Sequence, residues 1–197
     1  KHEVVTAEFV SSDAYRDLPS DPLVEELLNK YQDEISDALR VVGYNASFKN
    51  STVLRNLVAD LYYEAGVKMW YESYDIVLGG GFISVRNPYE LQAGEVTYAT
   101  LQSIFPFDND LVLCSIKGRD LLSRFINTTN SNYFVSYGQA YESDIIKSID
   151  PNSTYYIVTD TYCSSYAPNK LTVVERYTPG VYARDLLADY IQAGGMS

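Results

Sequence analysis

The sequence predicts an α+β domain: a mixed sheet with packed helices. Helical and strand patterns interleave along the chain, but without the regular spacing of βαβ units. The hydrophobic share is 46%, ordinary for a globular domain with a core. No apolar run approaches the roughly 18 residues of a membrane span. At 197 residues the chain has the length of one domain. Residues 1–197 are read as that one domain, with an acidic strand and helix part over 1–48 and a motif-bearing part over 49–197.

Residues 1–10 alternate enough for a strand, with Val5, Phe9 and Val10 apolar. Asp21-Pro22 opens a helix, since Asp caps and Pro suits the first turn. Leu23, Val24, Leu27, Leu28, Tyr31, Ile35 and Leu39 follow at helical spacing. Val41 to Phe48 reads as a strand or an extended link. Ser51 caps a second helix with Val53, Leu54, Leu57, Val58, Leu61 and Tyr62 on one side and Gly66 as its stop. Tyr74 to Leu78 is a short buried strand that runs into Gly79-Gly80-Gly81. Thr97 begins a short helix through Phe105. Asp110 to Lys117 is a strand and Arg119 to Ile126 a helix. Thr154–Thr159 and Leu171–Tyr177 are strands, and Pro179-Gly180 introduces a final amphipathic helix.

Fifteen Lys and Arg stand against 26 Asp and Glu, a net charge of −11. With no basic cluster, neither nucleic acid nor an anionic membrane suits as a partner. The first forty residues hold ten acids and four bases, so six of the eleven net charges lie there. Such a run reads as a solvated helix face. The single His is His2. It excludes a His-rich metal centre or a Ser-His-Asp triad built from this chain, and no metal ligands are assigned. Cys114 and Cys163 fit two buried thiols better than a bridge. Asn45, Asn50, Asn127 and Asn152 begin Asn-x-Ser/Thr sequons. The Lys1-His2-Glu3 opening, without Met, is expected of a piece of a longer protein.

Three places carry candidate chemistry. Gly79-Gly80-Gly81 follows a buried strand, where glycines bring backbone N–H groups close to a ligand or form a tight turn. No dinucleotide fingerprint or phosphate loop accompanies it. Phe105-Pro106-Phe107-Asp108-Asn109 joins a helix to a strand. Pro106 fixes the turn, so Phe107 is either a surface platform beside Asn109 or a core residue. Tyr162 ends a strand that feeds a polar loop, Ser164-Ser165-Tyr166. It is one of 19 Tyr, most of which serve packing.

The ordered segments Leu78-Gly-Gly-Gly-Phe-Ile, Leu91-Gln-Ala-Gly-Glu-Val-Thr-Tyr, Phe105-Pro-Phe-Asp-Asn-Asp-Leu-Val and Ile116-Lys-Gly-Arg-Asp-Leu-Leu resemble the C-terminal domain of the 5′-nucleotidase and UDP-sugar hydrolase family. Ser51-Thr-Val-Leu-Arg-Asn-Leu-Val-Ala-Asp60 is similar to a further segment upstream. The resemblance implies that family's α+β fold and a division of labour. An N-terminal metallophosphoesterase domain, outside this sequence, holds two divalent metal ions and hydrolyses a phosphate ester in nucleotide catabolism. The C-terminal domain grips a nucleoside or nucleotide, presents its phosphate, and carries no cofactor or catalytic residue. Its two base-stacking aromatics fall on Phe107 and Tyr162. Other ligand contacts fall on Gly79, Gly80, Gly81, Arg86, Asn109 and Gly138. The resemblance also implies an extracytoplasmic location, secreted or at the cell surface.

The sequence departs from the family's pattern at several binding positions. The family's Asn before the glycines is Leu78, its Arg after them is Ile83, and the nearest base is Arg86. The Gly-Gly-Asp-Gly stretch after the second aromatic is replaced by Ser164-Ser165-Tyr166-Ala-Pro-Asn169. An Ile cannot replace the paired hydrogen bonds of an Arg fork to phosphate. The rival expectation is therefore a stand-alone or degenerate nucleoside-binding or structural surface domain without hydrolytic role.

Overall fold

The computed structural model of the chain describes residues 21–86, 90–177 and 180–196. The strand expected over residues 1–10 and the turn at Pro179 lie outside them. Contacts divide the chain into two units, one ending at Ala38 and one running from Leu39 to Ser197.

In the first unit Asp21 caps α1 (Pro22–Lys30), its Oδ1 accepting the Leu23 N–H at 2.8 Å. The helix expected to run on to Leu39 is interrupted. Tyr31 leaves the helical region (φ −108°, ψ 23°), and α2 (Gln32–Leu39) starts afresh. No side chain of α1 is buried, so core packing does not enforce one continuous rod there.

The second unit contains strands β1 (Val41–Asn45), β2 (Ile76–Phe82), β3 (Gly94–Thr97), β4 (Leu111–Lys117), β5 (Tyr133–Ser136), β6 (Thr154–Asp160) and β7 (Thr172–Arg176). Its helices are α3 (Ser51–Trp70), α4 (Tyr98–Ile104), α5 (Gly118–Leu121), α6 (Glu142–Ser148), α7 (Thr161–Ser165) and α8 (Ala183–Gln192). A π-helical turn, Leu122–Ile126, continues α5. Strands β1 and β3 form an antiparallel pair. The other five form one sheet in the order β5-β2-β6-β4-β7. Only β2 and β6 are parallel in it; the other neighbours run antiparallel. The fold is thus the mixed-sheet α+β class that the sequence predicts.

Alternation along β4 shows how both faces of this sheet are covered. Leu111 and Leu113 join Leu54, Val58 and Leu187 in one core. Val112, Cys114 and Ile116 join Leu121 and Phe125 in the other. A strand covered on both sides reads as an unbroken apolar run, which is why β4 was legible. Cys114 and Cys163 are free and buried. Asn45 is also buried, donating to the Gln92 carbonyl at 2.7 Å. Its sequon is therefore closed by the fold.

Three expectations about α3 and β2 are corrected. Asn50, not Ser51, caps α3, its Oδ1 accepting the Val53 N–H at 3.0 Å. Gly66 does not stop α3; it lies within it, where a Cβ would stand 2.1 Å from Val158 Cγ2. The glycine run is not a turn but the continuation of β2. At Gly79 a Cβ would stand 2.3 Å from the Tyr63 backbone nitrogen and 2.5 Å from its Cα. These two glycines permit the close approach of helix to sheet. Strand β5 and helix α6 had no clear signal in the sequence, both being short segments with partly exposed apolar residues.

The two contacts differ in what can yield. Gly66→Ala meets a side chain, and Gly79→Ala meets backbone. Each is expected to cost at least about 1–3 kcal/mol by overpacking. Adding Val158→Ala should return part of the Gly66→Ala loss, whereas no side-chain truncation at Tyr63 should rescue Gly79→Ala. Urea unfolding midpoints of the single and double variants check this.

Candidate functional site

Helix α4 is capped by Thr97, whose hydroxyl accepts the Thr100 N–H. The helix ends at Phe105, and Pro106 prevents its continuation. The loop to β4 separates two aromatics: Phe105 is buried in the core, and Phe107 is 48% exposed. The platform alternative for Phe107 is the one its burial matches.

Tyr162 stands in the first turn of α7, directly after β6, and is 55% exposed. Asp160 ends β6 and caps this helix, Oδ1 accepting the Cys163 N–H at 2.7 Å. Its other oxygen accepts the Tyr62 hydroxyl at 3.2 Å. The Phe82 ring lies 6.0 Å from the Tyr162 ring at a 52° tilt. Tyr162 thus has a support on one side and exposed surface elsewhere.

Phe107 and Tyr162 line one cavity of about 430 Å³, together with Arg86, Asn109, Tyr62 and Asp160. Phe82, Ile83, Ser84, Phe105 and Ala183 complete it. The Arg86 guanidinium carbon lies 4.7 Å from the centre of the Phe107 ring, within cation–π range. Four of the sequence-derived residues, Phe107, Tyr162, Arg86 and Asn109, are therefore together. The glycines are not. Gly79 and Gly80 pack within the sheet, against Tyr63 and Phe134. Gly81 backs onto Thr159 and Cys163, behind α7. Gly138 lies against the Tyr63 ring.

Tyr62, Ser84 and Asp160 are the polar residues of the cavity that sequence reasoning missed. Tyr62 was hidden among the apolar residues on one side of α3. Asp160 had a readable signal: an Asp at a strand end, three residues before the N–H it caps. Burial pushes the Asp160 carboxyl above its ordinary range, against hydrogen bonds that favour the charged form. Burial, then the neighbouring Asp160 charge, pushes the Tyr62 hydroxyl well above its own. The pair therefore has Tyr62 as a proton donor that does not ionise near neutral pH. Burial likewise raises the Cys163 thiol to about 11, so no thiolate nucleophile is available beside the cavity. Among the described residues no group of three or more His, Cys, Asp or Glu is placed to hold a metal ion. Among the same residues no helix is long and apolar enough to cross a membrane.

Residues 34–170 match the family described as 5′-nucleotidase, C-terminal domain. Among solved structures, a 5′-nucleotidase precursor from Thermus thermophilus is similar at 17% identity and a TM-score of 0.54, over 89% of this chain and 41% of that one. A putative 5′-nucleotidase from Staphylococcus aureus, solved in complex with alpha-ketoglutarate, is similar at 14% identity and a TM-score of 0.55, over 88% of this chain and 41% of that one. Likeness at these identities concerns the fold alone. The chain spans about two fifths of the length of these two structures. No curated protein sequence matches it.

The buried carboxyl sets a pH dependence. A folded-state pKa above the unfolded value of about 3.9 means that the folded state binds the proton more tightly. Its stabilising contribution is present at low pH and is lost as pH rises from about 4 through the folded value. Asp160→Asn removes that titration and keeps a capping oxygen. The stability of wild type relative to Asp160→Asn is expected to fall as pH rises above about 4. Denaturant titrations of both proteins from pH 4 to pH 8 measure it; a constant difference would refute the assignment.

Proposed function

Because the chain belongs to the 5′-nucleotidase C-terminal domain family, we propose that it is the substrate-binding half of a 5′-nucleotidase-like phosphoesterase, stacking a nucleoside base between Phe107 and Tyr162. The observation that carries this reading is the pair of half-exposed rings on one cavity, with a guanidinium beside one of them. Flat rings accept any base face, and such stacking contributes about 1–3 kcal/mol per base. Asn109, at the same cavity, is suited to hydrogen-bond a base edge, having both donor and acceptor. Arg86 supplies the positive charge that a nucleotide phosphate requires.

The hydrolytic step belongs, on this reading, to an N-terminal metallophosphoesterase domain of the same parent chain. Two divalent metal ions held there would activate water for attack on phosphorus. This chain would bind and orient the nucleotide, and its place of work would be outside the cytoplasm, secreted or at the surface. A second reading draws support from Ile83. It is 3% exposed, apolar, and stands where the family resemblance expects a phosphate-binding Arg. A domain that binds the nucleoside without a hydrolytic partner would fit that loss.

Calorimetric titration with AMP and adenosine tests both readings. Phe107→Ala and Tyr162→Ala are each expected to weaken AMP binding about 5- to 150-fold, the equivalent of 1–3 kcal/mol. Wild-type protein that binds neither compound, or variants that bind AMP as wild type does, would remove the stacking proposal. AMP binding tighter than adenosine binding supports the nucleotide reading; equal affinities support the second. The isolated chain with added divalent metal is expected to release no phosphate from AMP.

A further inference from the structure

We propose that Arg184, on α8, is the positioning residue that sets the Phe107 platform, so that stacking at Phe107 depends on a side chain outside the cavity. The inference rests on the stacking reading above.

Arg184 is 6% exposed. Its Nη1 donates to the carbonyls of Phe105 and Phe107, at 3.4 and 3.2 Å. Its Nη2 pairs with the Asp108 carboxylate. Its Nε donates to the Tyr98 hydroxyl at 3.1 Å, which in turn donates to Asp185 Oδ1 at 2.5 Å. The other oxygen of Asp185 accepts the Tyr182 N–H at the start of α8. One guanidinium thus connects the first turn of α8 to three positions of the aromatic loop, around Pro106, and to the helix that precedes the loop.

The chemistry of Arg suits this task. Its planar fork presents five N–H donors in fixed directions, and here four acceptors surround it. The two carbonyls flank Pro106, so holding both fixes the backbone on either side of it. The direction in which Phe107 leaves that backbone is then set. The Asp108 end is 65% exposed, where an ion pair is screened and stabilises little. The bonds to the carbonyls, one buried and one partly buried, are therefore the ones expected to matter. A Lys would keep the charge and the stem but could not direct bonds to this many acceptors.

A general structural role and a positioning role give different results in a double-mutant cycle. AMP binding would be measured for wild type, Arg184→Lys, Phe107→Ala and the double variant, with thermal unfolding alongside. Arg184→Lys is expected to weaken AMP binding about tenfold when Phe107 is present. It is expected to add nothing when Phe107 is already Ala. Equal losses in both backgrounds, or no loss in either, would overturn the proposal. If Phe107→Ala itself binds AMP like wild type, the stacking reading falls and this inference with it. If that variant is weakened while Arg184→Lys is normal, only the inference falls. Should Arg184→Lys fail to fold, Tyr98→Phe removes the hydroxyl that Nε donates to and so loosens the fork at its inner end. It is expected to weaken AMP binding about two- to threefold, only with Phe107 present; wild-type affinity would count against the proposal.

Discussion

The approach of α3 to the sheet is the constraint from which the site follows. Gly79 lets the Tyr63 backbone lie against β2, and Gly66 lets the same helix close over Val158 of β6. Any side chain at Gly79 would push the helix away from the sheet. Tyr62 is the neighbour of Tyr63, so its hydroxyl reaches Asp160 at the end of β6 only because the helix lies this close. Asp160 then caps α7, the helix whose first turn carries Tyr162. A glycine in the sheet and an aromatic at the cavity are linked through one backbone contact and two hydrogen bonds.

The two rings of the cavity are held by different physical means. Tyr162 is held through a short helix, a buried carboxyl and a tilted ring contact with Phe82. Phe107 lies in a loop, and the carbonyls on either side of Pro106 accept from the Arg184 guanidinium of α8. Each arrangement places an ionisable group in the interior, which costs stability unless its hydrogen bonds are made. Asp160 accepts from a backbone N–H and a phenol, and Arg184 donates to carbonyls, a phenol and a carboxylate. Satisfying these groups ties each ring to the core behind it.

What the sequence made legible followed the strength of local signals. The unbroken apolar run of β4 and the Thr97 cap were readable because a strand covered on both faces and a capping hydroxyl leave local patterns. Turn chemistry and strand ends left Phe107 and Tyr162 open between platform and packing; the family resemblance singled them out, and both line the cavity. The glycines misled for a physical reason. A Gly in a helix or after a strand reads as a stop or a turn, but Gly66 and Gly79 are small because another element lies against them. That neighbour is distant in sequence, so no local window contains it. Tyr62 and Arg184 were hidden likewise: their partners Asp160 and Phe107 lie far along the chain, and a Tyr or an Arg on an amphipathic helix looks like any other.

The cation of the cavity shows how fold and charge constrain each other. The family pattern expects an Arg where Ile83 stands, but Ile83 is packed into the main core with Val85 and Leu91. Ile83 also borders the cavity, so a guanidinium there would have to leave that core for the cavity or find partners of its own. Three residues on, Arg86 is exposed and lies over the Phe107 ring. Its charge is solvated, so it carries no desolvation penalty of that kind, and it adjoins the ring proposed to stack a base. Six of the eleven net charges belong to the first forty residues, ahead of every residue that lines the cavity. Salt also screens exposed charges beyond about 8–10 Å. On the cavity lining Arg86 is the cation, and the Asp160 carboxyl beside it is shifted by burial toward its neutral form.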